Sequence, residues 1–379
     1  MPAMRDRSRV LVAGGGVAAL ECMLALQALA PDAVSVELLA PERHFTYRPL
    51  AVVEPFGRHA VRRFPLATIA ADRGVTLHRD ALARVHPDDN LVETQGGVEL
   101  AYDALVLAVG ARPVEAVRGA ITFRGPQDVG RVTAVLAGLL EGTISRVAFV
   151  VPGGATWTLP LYELALQTGA AIQRAQVRAQ LTVITPERAP LAAFGREASE
   201  AVCGLLAERG VLVRTGSLAE ACERGRLWME LEGSFAVDAA IALPRLVGPH
   251  LRGVPSDSMG FVPVDDVFRA EWLDNVYAVG DVAAHGIKQG GLAAQQAETA
   301  ARAIAASAGA AVPPEPYAPV LRGLLLTGGR PLRLRRDETG CSEVADDALW
   351  WPANKIAGRH LAPYLASHPA FAAELAPST

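Results

Sequence analysis

The sequence has little cysteine. Cys22, Cys203, Cys222 and Cys341 are its only four in 379 residues, far apart and without a Cys-x-x-Cys or Cys/His spacing. That argues against a zinc site, an iron–sulfur cluster or a disulfide framework, and suits a reduced, cytoplasmic chain. An excess of charge is missing too. Lys and Arg number 36 against 40 Asp and Glu, a formal charge of -4, and such a balance gives no support to nucleic-acid binding. No apolar run reaches the ~18 residues of a membrane span. Arg5, Arg7 and Arg9 precede an apolar run ending at Ala28-Leu29-Ala30, as in a secretory leader, but Gly14-Gly15-Gly16 and Glu21 interrupt it. No general-base pair, metal cluster or Ser/His/Asp arrangement stands out, so no catalytic residue and no metal site is assigned.

What is present is a repeated pattern, on a chain long enough for two or three domains. Residues 9–13 form a short apolar run leading into Gly14-Gly15-Gly16, and residues 17–29 follow with the alanine and leucine content of a helix. A second strand at 34–40 closes a parallel strand–helix–strand unit. Short alternating segments at 75–77, 83–86, 91–94 and 98–101 read as a meander, and 102–109 as a buried strand. From about residue 143 the pattern restarts with a strand at 147–151, a glycine turn, a helix at 159–173 and a strand at 180–185. Ala40-Pro41-Glu42-Arg43 leaves the first unit and Thr185-Pro186-Glu187-Arg188 the second, which a duplicated dinucleotide-binding fold explains better than chance. Residues 260–265 and 275–280 read as strands completing a sheet, before a helix at 291–307 and an Ala/Pro-rich linker at 308–319. The expected class is α/β: two Rossmann-like three-layer domains, residues 1–118 with 255–307 and residues 119–254, plus a small C-terminal α+β domain within 308–379.

Gly14-x-Gly16-x-x-Ala19 fits the dinucleotide fingerprint, whose small residues permit a tight turn, close approach to a pyrophosphate and close helix packing. The helix N-terminus then offers N–H groups to the phosphates. The acidic ribose ligand is displaced: the second strand ends in Ala40, with Glu42 two residues on. Either Glu42 takes the hydroxyl contact, or backbone and Arg43 hold the adenosine and Glu42 is a solvated turn residue. Residues 275–281 form a second element, a buried strand ending in Gly280-Asp281 that presents a carboxylate to a hydroxyl.

Together with Ala108-Val109-Gly110, these elements resemble the two-dinucleotide-domain flavoproteins that include ferredoxin reductases, type II NADH dehydrogenases and sulfide:quinone oxidoreductases. The resemblance spans residues 9–307 and implies FAD as cofactor, with Gly14, Gly16 and Ala19 at its pyrophosphate, Gly110 beside it and Asp281 at the ribityl chain. Val109 stands where those proteins usually carry threonine. Phe45-Thr46-Tyr47-Arg48-Pro49 looks like the segment beside the isoalloxazine in sulfide:quinone oxidoreductases and flavocytochrome c sulfide dehydrogenases, which implies a flavin contact for Pro49. Lys288-Gln289-Gly290-Gly291-Leu292 is similar to their Lys-Ser-Gly helix start, where N–H groups and a lysine charge would stabilise the reduced flavin. The competing reading of Lys288 is an exposed loop lysine.

The second glycine turn, Pro152-Gly153-Gly154-Ala155-Thr156-Trp157-Thr158-Leu159-Pro160, does not keep the fingerprint, which argues against a nicotinamide site. With Leu161-Tyr162-Glu163 it resembles the loop of flavocytochrome sulfide dehydrogenases, and the shared Tyr-Glu places Trp157 where sulfide-oxidising relatives carry a redox cysteine. A tryptophan forms neither persulfide nor disulfide. Trp157 walls the flavin pocket, stacks on a substrate, or fills core space. Cys22 and Cys203 read as small buried hydrophobes; for Cys222 and Cys341 a redox role is the lesser reading. Leu349-Trp350-Trp351-Pro352 with Lys355, Arg359, His360 and Tyr364 mixes aromatic and basic residues as membrane-surface segments do, though packing of the Trp pair on the first domain, or a dimer contact, is preferred. The resemblance thus implies an FAD oxidoreductase passing two electrons from a small-molecule donor to a quinone or similar acceptor, cytoplasmic, with peripheral membrane contact left open. An NAD(P)H-dependent reductase is the alternative, and a non-enzymatic partner protein, flavin-carrying or flavin-free, the third.

Overall fold

The computed structural model describes residues 7–58, 61–231, 233–313 and 315–368. Arg5 and residues 369–379 of the expected C-terminal domain lie outside the described residues. Apolar, β-branched strands buried on both faces build a five-stranded, wholly parallel sheet in the order Val276–Ala278, Ala104–Leu107, Ser8–Ala13, Val34–Leu39, Thr76–His78. Its first strand thus comes from late in the chain. Helices Val17–Leu29 and Gly290–Ser307 pack together on this sheet through small residues. A Cβ on Gly280 would lie 3.1 Å from that of Ala18 and 3.5 Å from that of Ala293, so the junction admits little more than glycine and alanine.

A second five-stranded parallel sheet has the order Ile121–Thr122, Ala239–Ala242, Arg146–Val150, Gln180–Ile184, Val211–Arg214. Within each sheet the chain makes a three-stranded antiparallel meander before a later strand returns, Leu82–His86 to Glu99–Ala101 ahead of Ala104–Leu107 and Ala219–Glu223 to Gly233–Ala236 ahead of Ala239–Ala242. The same aspartate clip closes both: Asp103 accepts the N–H of Arg9 at 2.6 Å, and Asp238 that of Arg146 at 2.9 Å. A C-terminal antiparallel sheet, Leu321–Leu325, Leu332–Arg336 and Ser342–Ala345, precedes helix Leu361–Ser367.

Several strand expectations need correction. Residues 75–77 do not join the meander: Thr76–His78 pairs in parallel with Glu37–Leu39, at the edge of the first sheet. Residues 260–265 form no strand. They make only isolated bridges, Val262 to Ala283 and Val264 to Ala270, since Pro263 between them has no N–H to give a ladder. The strand expected at 102–109 shortens to Ala104–Leu107, because Tyr102 donates its N–H to Asn90 and Val109 already turns out to solvent. Residues 45–49 are split between strand His44–Tyr47, paired with Arg62–Pro65, and the 3-10 helix Arg48–Phe56.

Candidate cofactor and substrate site

The first glycine turn is built for close approach. Gly14 has φ +138°, and a Cβ there would sit 2.2 Å from the Ala108 carbonyl oxygen, so only glycine fits. A Cβ on Gly16 would meet nothing within 4 Å, which leaves the mouth of the turn open. Gly16 caps helix Val17–Leu29 with no side chain on its N–H groups, and these remain available to a phosphate. Ala19 is fully buried beneath the turn. Glu42 is exposed yet aimed inward, its Oε2 lying 3.2 Å from the position of a Gly15 Cβ. Arg43 is exposed beside it. Gly110, at φ +75°, has open space where a Cβ would be. An open turn, free helix N–H groups and an inward carboxylate fit a dinucleotide.

Further along, the two sheets and the C-terminal segment enclose a cavity of about 610 Å³ whose lining includes Pro49, Asp281, Lys288 and Gly290. Burial pushes the Asp281 carboxyl above its ordinary range, opposed by the nearby charges of Lys288 and Arg48. Burial lowers the Lys288 ammonium, while Asp281 and Asp257 act against that. Lys288 is therefore not an exposed loop lysine: its Nζ donates to the Ala283 carbonyl and lies 4.3 Å from the centre of the Phe261 ring. Helix Gly290–Ser307 begins beside it. The Gln289 side chain accepts the Leu292 N–H at 2.8 Å, leaving the Gly290 and Gly291 N–H groups at the end that Gly290 presents to the cavity.

The second turn differs in geometry as well as in letters. Three residues (14–16) separate strand Ser8–Ala13 from its helix, whereas eight (151–158) separate Arg146–Val150 from helix Leu159–Arg174. Glu187, the counterpart of Glu42, is taken by three hydroxyls: Tyr162 at 2.6 Å, Thr185 at 2.9 Å and Thr158 at 3.1 Å. Trp157 lines the cavity and also rests on Phe194, with ring centres 5.9 Å apart.

Sequence reasoning missed a buried ion pair on the cavity wall. Glu163 is fully buried, and its carboxylate lies 2.6 Å from Lys355 Nζ, which also donates to the Pro49 carbonyl at 3.2 Å. Desolvation pushes Glu163 up and Lys355 down, each held back by the other. A glutamate on the inner side of an apolar helix was the available signal; its partner, 192 residues on, was not. Cys203 corrects its expectation by lying exposed on helix Arg196–Glu208, while Cys22 is fully buried and burial raises its thiol. The Trp pair divides: Trp350 is half-buried and donates to the Asn354 carbonyl, whereas Trp351 is 88% exposed. Among the described residues no helix is long and apolar enough to cross a membrane.

Two dinucleotide-type sheets sharing a charged cavity are the architecture that a flavin-dependent oxidoreductase needs, and the family match shows that class. The chain belongs to the pyridine nucleotide-disulphide oxidoreductase family, which it matches over residues 8–302, and FAD is its cofactor. It is similar to an NADH dehydrogenase-like protein of Mycobacterium tuberculosis, 26% identical over 293 residues and 73% of each chain. It is also similar to the sulfide-quinone reductase of Aquifex aeolicus, 24% identical over 73% of this chain and 68% of that one. In fold it matches the solved sulfide:quinone oxidoreductase of Aquifex aeolicus with a TM-score of 0.80 at 21% identity, covering 89% of this chain and 87% of the other. Putidaredoxin reductase in its covalent complex with putidaredoxin gives 0.64 at 20%, covering 88% and 82%.

Proposed function

We propose that this oxidoreductase takes two electrons from a reduced small-molecule donor other than NAD(P)H and passes them, without a cysteine relay, to a quinone or similar acceptor. The observation that carries this reading is the second glycine turn: its helix starts eight residues past the strand, its acid is occupied by hydroxyls, and Trp157 faces the cavity. When bound, FAD supplies the two-electron chemistry. The chain's residues supply position and charge. Gly14, Gly16 and Ala19 receive the pyrophosphate, Glu42 a ribose hydroxyl and Asp281 the ribityl chain, with Pro49 and Gly110 alongside. Lys288 and the positive end of the helix starting at Gly290 favour negative charge on the cavity wall that they form.

A second, apolar cavity of about 130 Å³ lies between Tyr47, Leu50, Phe64, Leu361 and Leu365 and shares Leu324, Lys355 and Ile356 with the first. Its lining suits an apolar acceptor such as a quinone. The same reading divides the chain into residues 1–118 with 255–307, 119–254 and 308–379.

Anaerobic titration of the oxidised protein with NADH, NADPH, sulfide and a thiol, followed by flavin absorbance, tests the donor. Slow or absent bleaching by both nicotinamides is expected. Rapid bleaching by either overturns this reading and installs the second one, an NAD(P)H-dependent reductase, which the likeness to an NADH dehydrogenase-like relative favours.

A further inference from the structure

We infer that the larger cavity, beside the part assigned to the cofactor, binds an organic anion, a carboxylate on an apolar body; the inference rests on that assignment of the cofactor under the proposed function. The lining carries six cationic side chains, Arg48, Arg124, Arg245, Arg322, Lys288 and Lys355, against the single carboxylate of Asp281. Four of the six are accounted for. Arg124 pairs with Asp128 at 3.3 Å and Lys355 with Glu163 at 2.6 Å, both from behind the wall. Lys288 and Arg48, without an ion pair within 4.0 Å among the described residues, lie near Asp281 on the side assigned to the cofactor, where Lys288 donates to the Ala283 carbonyl.

Arg245 and Arg322 remain. Neither has an ion pair within 4.0 Å among the described residues. The Nε of Arg322 is buried with no hydrogen-bond partner, and the neighbouring Arg335 adds to the positive charge there. Arg245 lies exposed at the rim, its Cδ 3.7 Å from the Cβ position of Gly154 on the altered turn. The lining of the same cavity also includes the apolar side chains of Trp157, Phe123, Leu243, Leu246 and Met259. Arginines at the edge of an aromatic and aliphatic wall select a ligand with an anionic head and an apolar body, because guanidinium recognises a carboxylate by paired, charge-assisted hydrogen bonds. An inorganic ion would leave the apolar wall unused, and a neutral ligand would leave the guanidiniums unpaired.

The test uses the FAD-loaded protein and benzoate as probe, with benzamide as its neutral counterpart, read by calorimetry and by the shift of the oxidised flavin spectrum. Benzoate is expected to bind at least about tenfold more tightly than benzamide, and Arg245→Gln and Arg322→Gln each to remove about tenfold of that affinity. Arg245→Lys should recover part of the loss, and FAD content and thermal midpoint, measured on each variant, should match the parent. Equal affinity for benzamide, unchanged affinity in both arginine variants, or displacement of benzoate by equimolar inorganic phosphate would each overturn the inference. Bleaching of the same preparation by NADH is a separate readout: it removes the proposed function, whereas loss of charge preference removes only the anion.

Discussion

The two halves of this molecule share a strand–helix–strand unit and have opposite glycine turns. In both, that unit and a third strand lead into a meander, and an aspartate accepts an N–H from the strand that opens the unit. In the first half the turn is three residues long, Gly16 leaves room at its mouth, and the Glu42 carboxylate lies beside Gly15. In the second half the turn is eight residues long and Glu187 already has three donors. A scaffold can therefore be copied while its ligand site is not. The sheet depends on apolar pairing along whole strands, and the site on a few backbone positions and one acid.

The largest expected effect tests how far the second helix is committed to structure. Lys355→Met strips the partner from the fully buried Glu163 and should cost about 3–5 kcal/mol in chemical unfolding, with most of it recovered in the Glu163→Leu, Lys355→Met double variant. If the single change is neutral, the pair is not what ties that helix to Pro49.

A glycine from each turn gives the next contrast. Gly14→Ala forces a positive φ and a clash with Ala108, so it should lose at least about 2 kcal/mol and purify with little FAD. Gly153→Ala meets only ordinary contact, 3.4 Å from Leu218 Cδ2, and should stay within about 0.5 kcal/mol with full FAD. Equal FAD content in the two would erase the distinction between the turns.

The paired acids should divide cofactor from stability. Glu187→Gln is expected to lose roughly 1–2 kcal/mol by disturbing three hydroxyl donors while keeping FAD. Glu42→Gln should weaken FAD retention about tenfold at nearly unchanged stability.

The smallest effect concerns the shared clip. Ser145 and Arg146 donate to Asp238 through backbone and side chains and hold its carboxyl well below the usual carboxylate range. A depressed native value adds stability that is present above the ordinary carboxylate pKa of about 4 and is lost as pH falls through the native value. Asp238→Asn should therefore lower the thermal midpoint at neutral pH by an amount worth roughly 1 kcal/mol, since the group is partly solvated. That gap should close on acidification below about pH 4.

Much of this was legible beforehand, and unevenly so. Helix Val17–Leu29 falls where its alanines and leucines and the preceding glycines put it, because propensity and a turn requiring glycine act over a few residues. The return of the Pro-Glu-Arg exit exposed the duplication. Residues 75–77 and 260–265 were misplaced because an alternating run does not say which edge it will meet, and the single proline between two bridges was underweighted. Cys203 was taken as buried because an alanine- and leucine-rich helix shows weakly which face turns to solvent.

The sequence by itself determined the local backbone: where glycine must turn the chain, where helices start, and that the second turn had departed from the first. These depend on φ/ψ freedom and short-range periodicity, which adjacent residues carry. Only the tertiary structure decided that Val276–Ala278 completes the first sheet, that Lys355 reaches Glu163, that Glu187 is filled by Tyr162, and that Arg245 and Arg322 face one cavity. Burial drives the chain together without naming partners, so contacts between residues far apart in sequence are chosen by how the whole fold closes.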